Sequence, residues 1–327
     1  MADWDGTRYE PGTERGHYES WFVRATDPAG ERAFWIRYTI FSPRGRASEA
    51  VGELWAITYE RSAHRVVAVK QSTPIANCTF AHHRLDVAIG AATLGSQTLQ
   101  GSASANGHTI RWNLEMTSSS LPILLLPERL YETAIPRAKS VVTRPLARFT
   151  GRIDVDDTTM AITHWVGSQN HNWGSRHTDR YAWGQVSGFD AAPNAFLECG
   201  TARLKLGRVW TPPLSPIVLR LGTETLTWNG VFCAMRARSS YAPFHWHLQS
   251  AAKHGRIDLH ISANAHDVVA LRYRNPPGDE NICLNSNIAH CELALERPGR
   301  PKMELRSNCA AFEILDAKPP PGLYPAL

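Results

Sequence analysis

His164-Trp-Val-Gly-Ser-Gln-Asn-His-Asn-Trp-Gly-Ser-Arg-His-Thr-Asp-Arg-Tyr-Ala-Trp-Gly-Gln-Val-Ser-Gly-Phe-Asp190 places three tryptophans, a tyrosine, three histidines, two asparagines and four glycines in one short segment. Asn170, His171 and Asn172, which can hydrogen-bond or carry protons, sit among large rings. Gly167 and Gly174 bracket them and permit a turn or a close backbone approach. The flanks, 159–166 and 181–189, have strand character. The segment reads as a polar turn at the mouth or floor of an aromatic-lined β cavity. The simpler alternative is a hairpin whose rings only fill a core.

Working outward, the same β character continues. In 34–41, Phe34, Ile36, Tyr38 and Ile40 share one face while Arg37 and Thr39 take the other. In 108–116, His108, Ile110, Trp112, Leu114 and Met116 alternate with Thr109, Arg111, Asn113 and Glu115. Further strands are expected at 18–24, 52–59, 65–70, 83–89, 149–154, 195–206, 216–221, 225–228 and 231–238. Five more are expected at 244–250, 256–263, 267–274, 288–296 and 302–315. Helical periodicity is absent, so the fold class is all-β, barrels or sandwiches. Between 118 and 145, Pro122, Pro127, Pro136 and Pro145 interrupt an apolar run and mark a crossover linker. The expected division is 1–145 and 146–327, and the end, from Pro319-Pro320-Pro321 onward, carries no core pattern.

Composition excludes several classes. A net charge of +5 over 327 residues, with no basic run, gives no nucleic-acid footprint. Six scattered cysteines without a Cys-x-x-Cys fit free thiols in a reducing compartment. The polar start, without a signal-like apolar region, and the short, proline-broken run 121–127 predict a cytoplasmic protein with no stable membrane insertion. Gly-x-Ser-x-Gly, Gly-x-Gly-x-x-Gly, phosphate-loop and His-Glu-x-x-His patterns are all missing, so no cofactor is expected. His245 and His247 would share a strand face, but no carboxylate or thiol falls at a supporting spacing, so no metal is expected.

Three motifs carry a resemblance. Glu19-Ser20-Trp21-Phe22 resembles the Glu-Trp-Trp-Tyr-type signature of the AttH-like, carotenoid-hydratase superfamily of double lipocalin-like proteins. His171-Asn172-Trp173-Gly174 matches that group's His-Asn-Trp-Gly motif, and Tyr181-Ala182-Trp183-Gly184 is similar to the strand that follows. Pro136, Lys139-Ser140, Pro145 and Phe149-Thr150-Gly151 fit its linker, and tocopherol cyclase is a more distant relative that shares Asn-Trp-Gly. The resemblance implies two lipocalin-like (calycin) barrels of about eight or nine strands packed side by side, with an apolar ligand in or between them.

It also implies alkene protonation, with the carbocation captured by water or by another double bond. The chain departs from the hydratases in one respect: Asn170 stands where they carry an acid, and an amide is no proton donor of that kind. The resulting expectation is an enzyme, a hydratase, cyclase or isomerase, acting on a terpenoid- or polyene-like substrate. The alternative is a non-catalytic carrier of a hydrophobic small molecule. Expected catalytic residues are His171, Asn170, Asn172, Glu19 and Glu198, with Asp190 as a further carboxyl. Expected cavity wall residues are Trp21, Trp173, Tyr181, Trp183 and Trp165, whose ring faces could stabilise a cation. Arg176, His177, Asp179 and Arg180 read as a solvated loop cluster or, less simply, as a head-group site.

Overall fold

Period-two alternation organises nearly the whole chain in the computed structural model, which describes residues 4–206, 208–316, 320 and 323–327. The first sheet contains β1 (His17–Thr26), β2 (Arg32–Ser42), β3 (Val51–Glu60), β4 (Arg65–Pro74), β5 (Cys78–Phe80) and β6 (Asp86–Ile89). It continues with β7 (Ala92–Gly95), β8 (Thr98–Ala105), β9 (His108–Thr117), β10 (Ile123–Leu124), β11 (Ala138–Val155) and β12 (Thr158–Gly174). Its order is β4-β3-β2-β1-β12-β11-β9-β8-β7-β6-β5, with β10 on β11. β4 also lies against β8, which curls the sheet towards a barrel.

The second half adds β13 (Arg180–Phe189), β14 (Ala192–Arg203), a small ribbon of β15 (Lys205–Leu206) and β16 (Val209–Trp210), β17 (Ile217–Leu221) and β18 (Glu224–Thr227). After α1 (Val231–Arg236) come β19 (Arg238–Ala242), β20 (His245–Ala252), β21 (Gly255–Ser262), β22 (Val269–Arg274), β23 (Glu280–Glu296) and β24 (Met303–Asp316). The second sheet runs β18-β17-β14-β13-β24-β23-β21-β20-β19, with β22 on β23. The molecule is all-β, two lipocalin-like barrels.

Each barrel has its own core. Phe34, Ile36, Tyr38, Ile40, Trp112 and Phe149 belong to the first; Phe312, Leu197, Leu219, Trp246 and Leu259 belong to the second. The alternation in β9 holds: Ile110, Trp112, Leu114 and Met116 are buried, while Arg111, Asn113 and Glu115 are exposed. β1 and β2 differ, because all but their first residues are buried on both faces. Their outer faces, together with that of β3, pack on the second barrel, where Phe22, Trp35, Trp55 and Tyr59 meet Leu271, Tyr273, Cys283 and Leu315. A sheet buried on both sides needs apolar residues on both, and this is why Trp35 breaks the alternation between its neighbours.

Four expectations change. The division near 145 falls inside β11, and the switch between sheets comes between Gly174 and Arg180, because the long hairpin of β11 and β12 pairs back onto β1 and β9. Residues 167–174 form strand rather than a turn, in register with β1 from Ala25 to Tyr18. Residues 231–236 form a short helix rather than a strand, a short apolar run whose type periodicity alone does not settle. The C-terminal residues are docked: Ala326 N–H donates to the Ala270 carbonyl and Arg272 N–H to that of Leu327. Residues 317–319, 321 and 322 of the proline-rich end lie outside the described residues.

The two glycines of the central segment act by close approach. A Cβ on Gly167 would fall 1.7 Å from the Arg24 carbonyl oxygen, and one on Gly174 2.1 Å from that of Arg137. Both contacts are with backbone, which cannot swing away. Gly167→Ala is therefore expected to cost about 2 kcal/mol or more, read as a lower urea midpoint at unchanged slope. An unchanged midpoint would show that the strands separate freely.

Candidate active site

β-strand alternation splits the central motif between two environments. On β12, His171 and Trp173 face one way while Asn170 and Asn172 face the other; on β1, Glu19 and Trp21 oppose Ser20 and Phe22.

The first group closes the end of barrel one. His171 is fully buried, its ring stacked on Trp21 at 4.8 Å. Its Nε2 lies 2.7 Å from Glu19 Oε1 and its Nδ1 2.6 Å from the Trp4 carbonyl oxygen. Both ring nitrogens thus face oxygen atoms. Glu19 also accepts from the Thr7 hydroxyl at 2.9 Å, from Arg8 N–H at 2.8 and 2.9 Å, and from His17 Nε2 at 2.9 Å. Burial alone would raise this carboxyl, but the hydrogen bonds and charges of His17 and His171 outweigh it and bring it down to about 2. Trp165 stacks on Phe34 in the core, and Trp173 lies beneath the Arg8 guanidinium, 5.1 Å from it. Glu19, Trp21, Trp165, His171 and Trp173 therefore do not face the ligand-sized cavity, contrary to expectation. All but Trp165 fix the N-terminal segment to the barrel.

From the second group, Phe22 and Asn172 line a cavity of about 350 Å³ between the barrels. Tyr18, Phe22, Trp35 and Arg37 come from barrel one; Tyr181, Trp183, Gly200, Ala202, Tyr273 and Glu313 come from barrel two. The crossover supplies a third wall through Leu125, Leu126, Leu130, Ile135 and Pro136. Asn172, Tyr181 and Trp183 are the expected site residues found here, and Asn172 accepts from the Ser20 hydroxyl.

Polar groups cluster at defined points. The Tyr181 hydroxyl donates to Glu313 Oε2 at 2.7 Å, and Asn285 Nδ2 donates to Glu313 Oε1 at 2.7 Å. Burial, reinforced by neighbouring Cys283 and Glu313, pushes the Tyr181 phenol well above its usual range, so it stays a neutral donor. His177 stacks on Tyr18 at 3.9 Å, and its Nδ1 lies 3.0 Å from Asn275 Oδ1. Burial, then the charges of Arg37 and Arg176, lower it to about 3, so it is neutral and its buried Nε2, which has no partner, is an acceptor.

Glu198 and Asn170 lie just behind this surface. Trp183 Nε1 donates to Glu198 Oε1 at 2.8 Å and Gln185 Nε2 to Oε2 at 2.9 Å. Burial raises Glu198 to about 7 against those bonds and the Arg24 charge. Asn170 bonds Ser168 and Gln185, both at 2.8 Å. Fully buried Arg24 links this end to the other: it reaches Gln185 at 3.3 Å and Asn287 at 2.7 Å, and Asn287 bonds Asn285 at 3.1 Å. A continuous polar seam thus joins Glu198 to Glu313 and holds both carboxyls in place. Asp190 is exposed at a hairpin end, and its N–H donates to the Arg306 carbonyl.

Sequence reading missed Glu313, Arg37, Tyr18 and Tyr273. A signal existed for two of them: Glu313 is the lone charge in Ala310-Ala311-Phe312-Glu313-Ile314-Leu315, and Arg37 interrupts the apolar run Phe34-Trp35-Ile36-Arg37-Tyr38. The 176–180 cluster is tied down rather than solvated, since Arg176 pairs with Asp279 at 2.8 Å and Asp179 accepts from Lys205 N–H at 3.0 Å. All six cysteines are free thiols.

Among the described residues, two groups could hold a metal: His247, Asp258 and His260, and His64, His266 and Asp267. In the first, the carboxylate that spacing failed to find comes from the neighbouring strand, with His247 Nε2 2.8 Å from Asp258 Oδ1. Neither group borders the cavity. No helix among the described residues is long and apolar enough to cross a membrane.

No protein-family model matches the chain. Over 284 residues it is 22% identical to an uncharacterized protein of Mycobacterium tuberculosis, MT0513 and Rv0493c in two strains, covering 86% of this chain and 82% of that protein. Among solved structures, an AttH-designated protein of Nitrosomonas europaea aligns with a TM-score of 0.60 at 13% identity, over 94% of this chain and 97% of that one. Kievitone hydratase from Nectria haematococca aligns at 0.57 and 11%, over 91% and 88%, and CghA with Sch210972 at 0.55 and 10%, over 96% and 97%. Together with the two sheets and their strand order, these likenesses show that the chain has the double lipocalin-like fold of the AttH-like proteins.

Proposed function

We propose that the chain is an enzyme that performs proton-transfer chemistry, hydration, cyclisation or isomerisation, on an apolar terpenoid- or polyene-like molecule held between the barrels. The observation that carries this reading is a mainly apolar cavity of ligand size with a hydrogen-bonded carboxyl–phenol pair, Glu313 and Tyr181, on its wall. An apolar enclosure with a few convergent polar groups is the usual form of a small-molecule site. The likeness to kievitone hydratase supports chemistry of this class. Glu313 is the group that would carry the proton, Tyr181 orients it, and Trp35 and Trp183 present ring faces to developing positive charge. The hydratase acid expected at position 170 is an amide bonded to Ser168 and Gln185, so that route is closed.

Gly200 tests the location. It lines the cavity, and a Cβ there would meet only Leu125 and Ala182 atoms at 3.6 and 3.7 Å, so a larger side chain enters open space. Gly200→Leu is expected to fold and to lose at least about tenfold in affinity for the hydrophobic ligand recovered with the wild-type protein, followed by native mass spectrometry. Undiminished binding would place the ligand elsewhere.

The carrier reading draws support from Asn170. It is separated from the enzyme by whether the recovered ligand is converted.

A further inference from the structure

Arg37 is a buried cation for which the protein supplies no anion. Only 4% of it is exposed, its Nε is a buried donor with no acceptor, and among the described residues no ion pair or side-chain hydrogen bond reaches the guanidinium. Three rings surround it instead, with its Cζ 5.1 Å from the Tyr273 centroid, 5.8 Å from Trp35 and 6.0 Å from Trp55. Ring faces attract a cation, but they do not satisfy its N–H donors.

The neighbouring carboxylates are already engaged. Glu53 takes Lys70 Nζ at 3.0 Å and Arg274 Nη2 at 2.5 Å, and Lys70 itself lies 4.1 Å over the Trp55 ring that Arg37 also approaches. Glu313 accepts from Tyr181 and Asn285. His177 adds no compensating charge and leaves a buried acceptor open in the same wall. Positive charge therefore exceeds negative around one end of an apolar cavity. Leaving a guanidinium desolvated and unpaired is strongly unfavourable in a folded protein, and the cost is removed when a ligand brings the missing anion. A planar carboxylate matches the guanidinium fork.

We propose that Arg37 anchors a carboxylate on the otherwise apolar ligand, so that the molecule enters with its acidic end at Arg37 and its hydrocarbon body against the crossover wall. This rests on the reading of the inter-barrel cavity as the ligand site and narrows the substrate class to hydrophobic acids. The open Nε2 of His177 can take a hydroxyl near the same end.

A matched pair of probes, dodecanoate and dodecanol, tests the assignment by titration calorimetry on the full chain. Wild-type protein is expected to bind the acid about tenfold more tightly than the alcohol, and Arg37→Met to remove that preference while leaving the alcohol within about threefold. Arg37→Met is also expected to raise the melting temperature, because an unpaired buried charge gives way to an apolar chain of similar length. Should that variant fail to fold, Arg37→Gln, which keeps a polar head without the charge, carries the same comparison. If both probes bind with equal affinity to wild type, or if the acid preference survives loss of the charge, the anchor is overturned and the cavity reading stands. If neither probe binds wild type, both fall.

Discussion

Glu19→Ala is expected to destabilise the protein by about 3–5 kcal/mol, the usual consequence of stripping one member from a buried ion-pair network. Alanine would leave Nε2 of His17 and of His171, the Thr7 hydroxyl and the Arg8 N–H without their acceptor. The same carboxyl sets an acid limit. Its folded value of about 2 lies below the ordinary 4.5, so its stabilisation is fully present above about 4.5 and is lost as pH falls towards 2. A gap of that size corresponds to about 3 kcal/mol. Urea midpoints measured between pH 2 and 7 should fall steeply in the wild type, and the acid limb should flatten in Glu19→Gln. Parallel profiles for the two proteins would show that Glu19 is not the group responsible. Because this cluster faces away from the cavity, its variants are expected to change folding before ligand affinity.

Glu313→Gln is expected to lower turnover of the recovered ligand by about 10²–10⁴-fold, the range for loss of a positioned acid–base group. Glutamine keeps the shape: its single carbonyl oxygen can still accept from Asn285 while its amide N–H donates to the Tyr181 hydroxyl oxygen, so the fold should persist while the ionisable proton is gone. Tyr181→Phe removes the donor that orients the carboxyl and should cost less, with an altered pH–rate profile as its signature. Folding of both variants is checked by thermal unfolding, and chemistry is separated from binding by single-turnover rates. Undiminished turnover in Glu313→Gln would remove the carboxyl from the mechanism. Ligand bound but never converted by wild type would instead favour the carrier.

Strand alternation explains how much of the site could be read in advance. Residues 170–173 stand out in the sequence, yet three adjacent polar residues can point into one cavity only in a turn. The backbone runs straight, so His171 turns to Glu19 and Asn172 to the cavity. Trp165 and Trp183 illustrate the same point: both are strand tryptophans near the motif, one filling core and the other bonded to Glu198 on the cavity wall. Their identities are equal in sequence, and only the direction of the Cβ separates them.

What the chain determined by itself is local. Period-two patterning, turn residues and the scarcity of helical periodicity are properties of neighbouring residues, and they suffice for an all-β protein with the apolar faces of strands such as β2 and β9 correctly oriented. Tertiary structure alone decided which second face is also buried. Arg37, separated by over 270 residues from Glu313, shares its cavity only because β1 and β2 pack their outer faces on β22, β23 and β24. An unpaired charge becomes meaningful only after water has been removed from around it, and it is the docking of one barrel on the other that removes it.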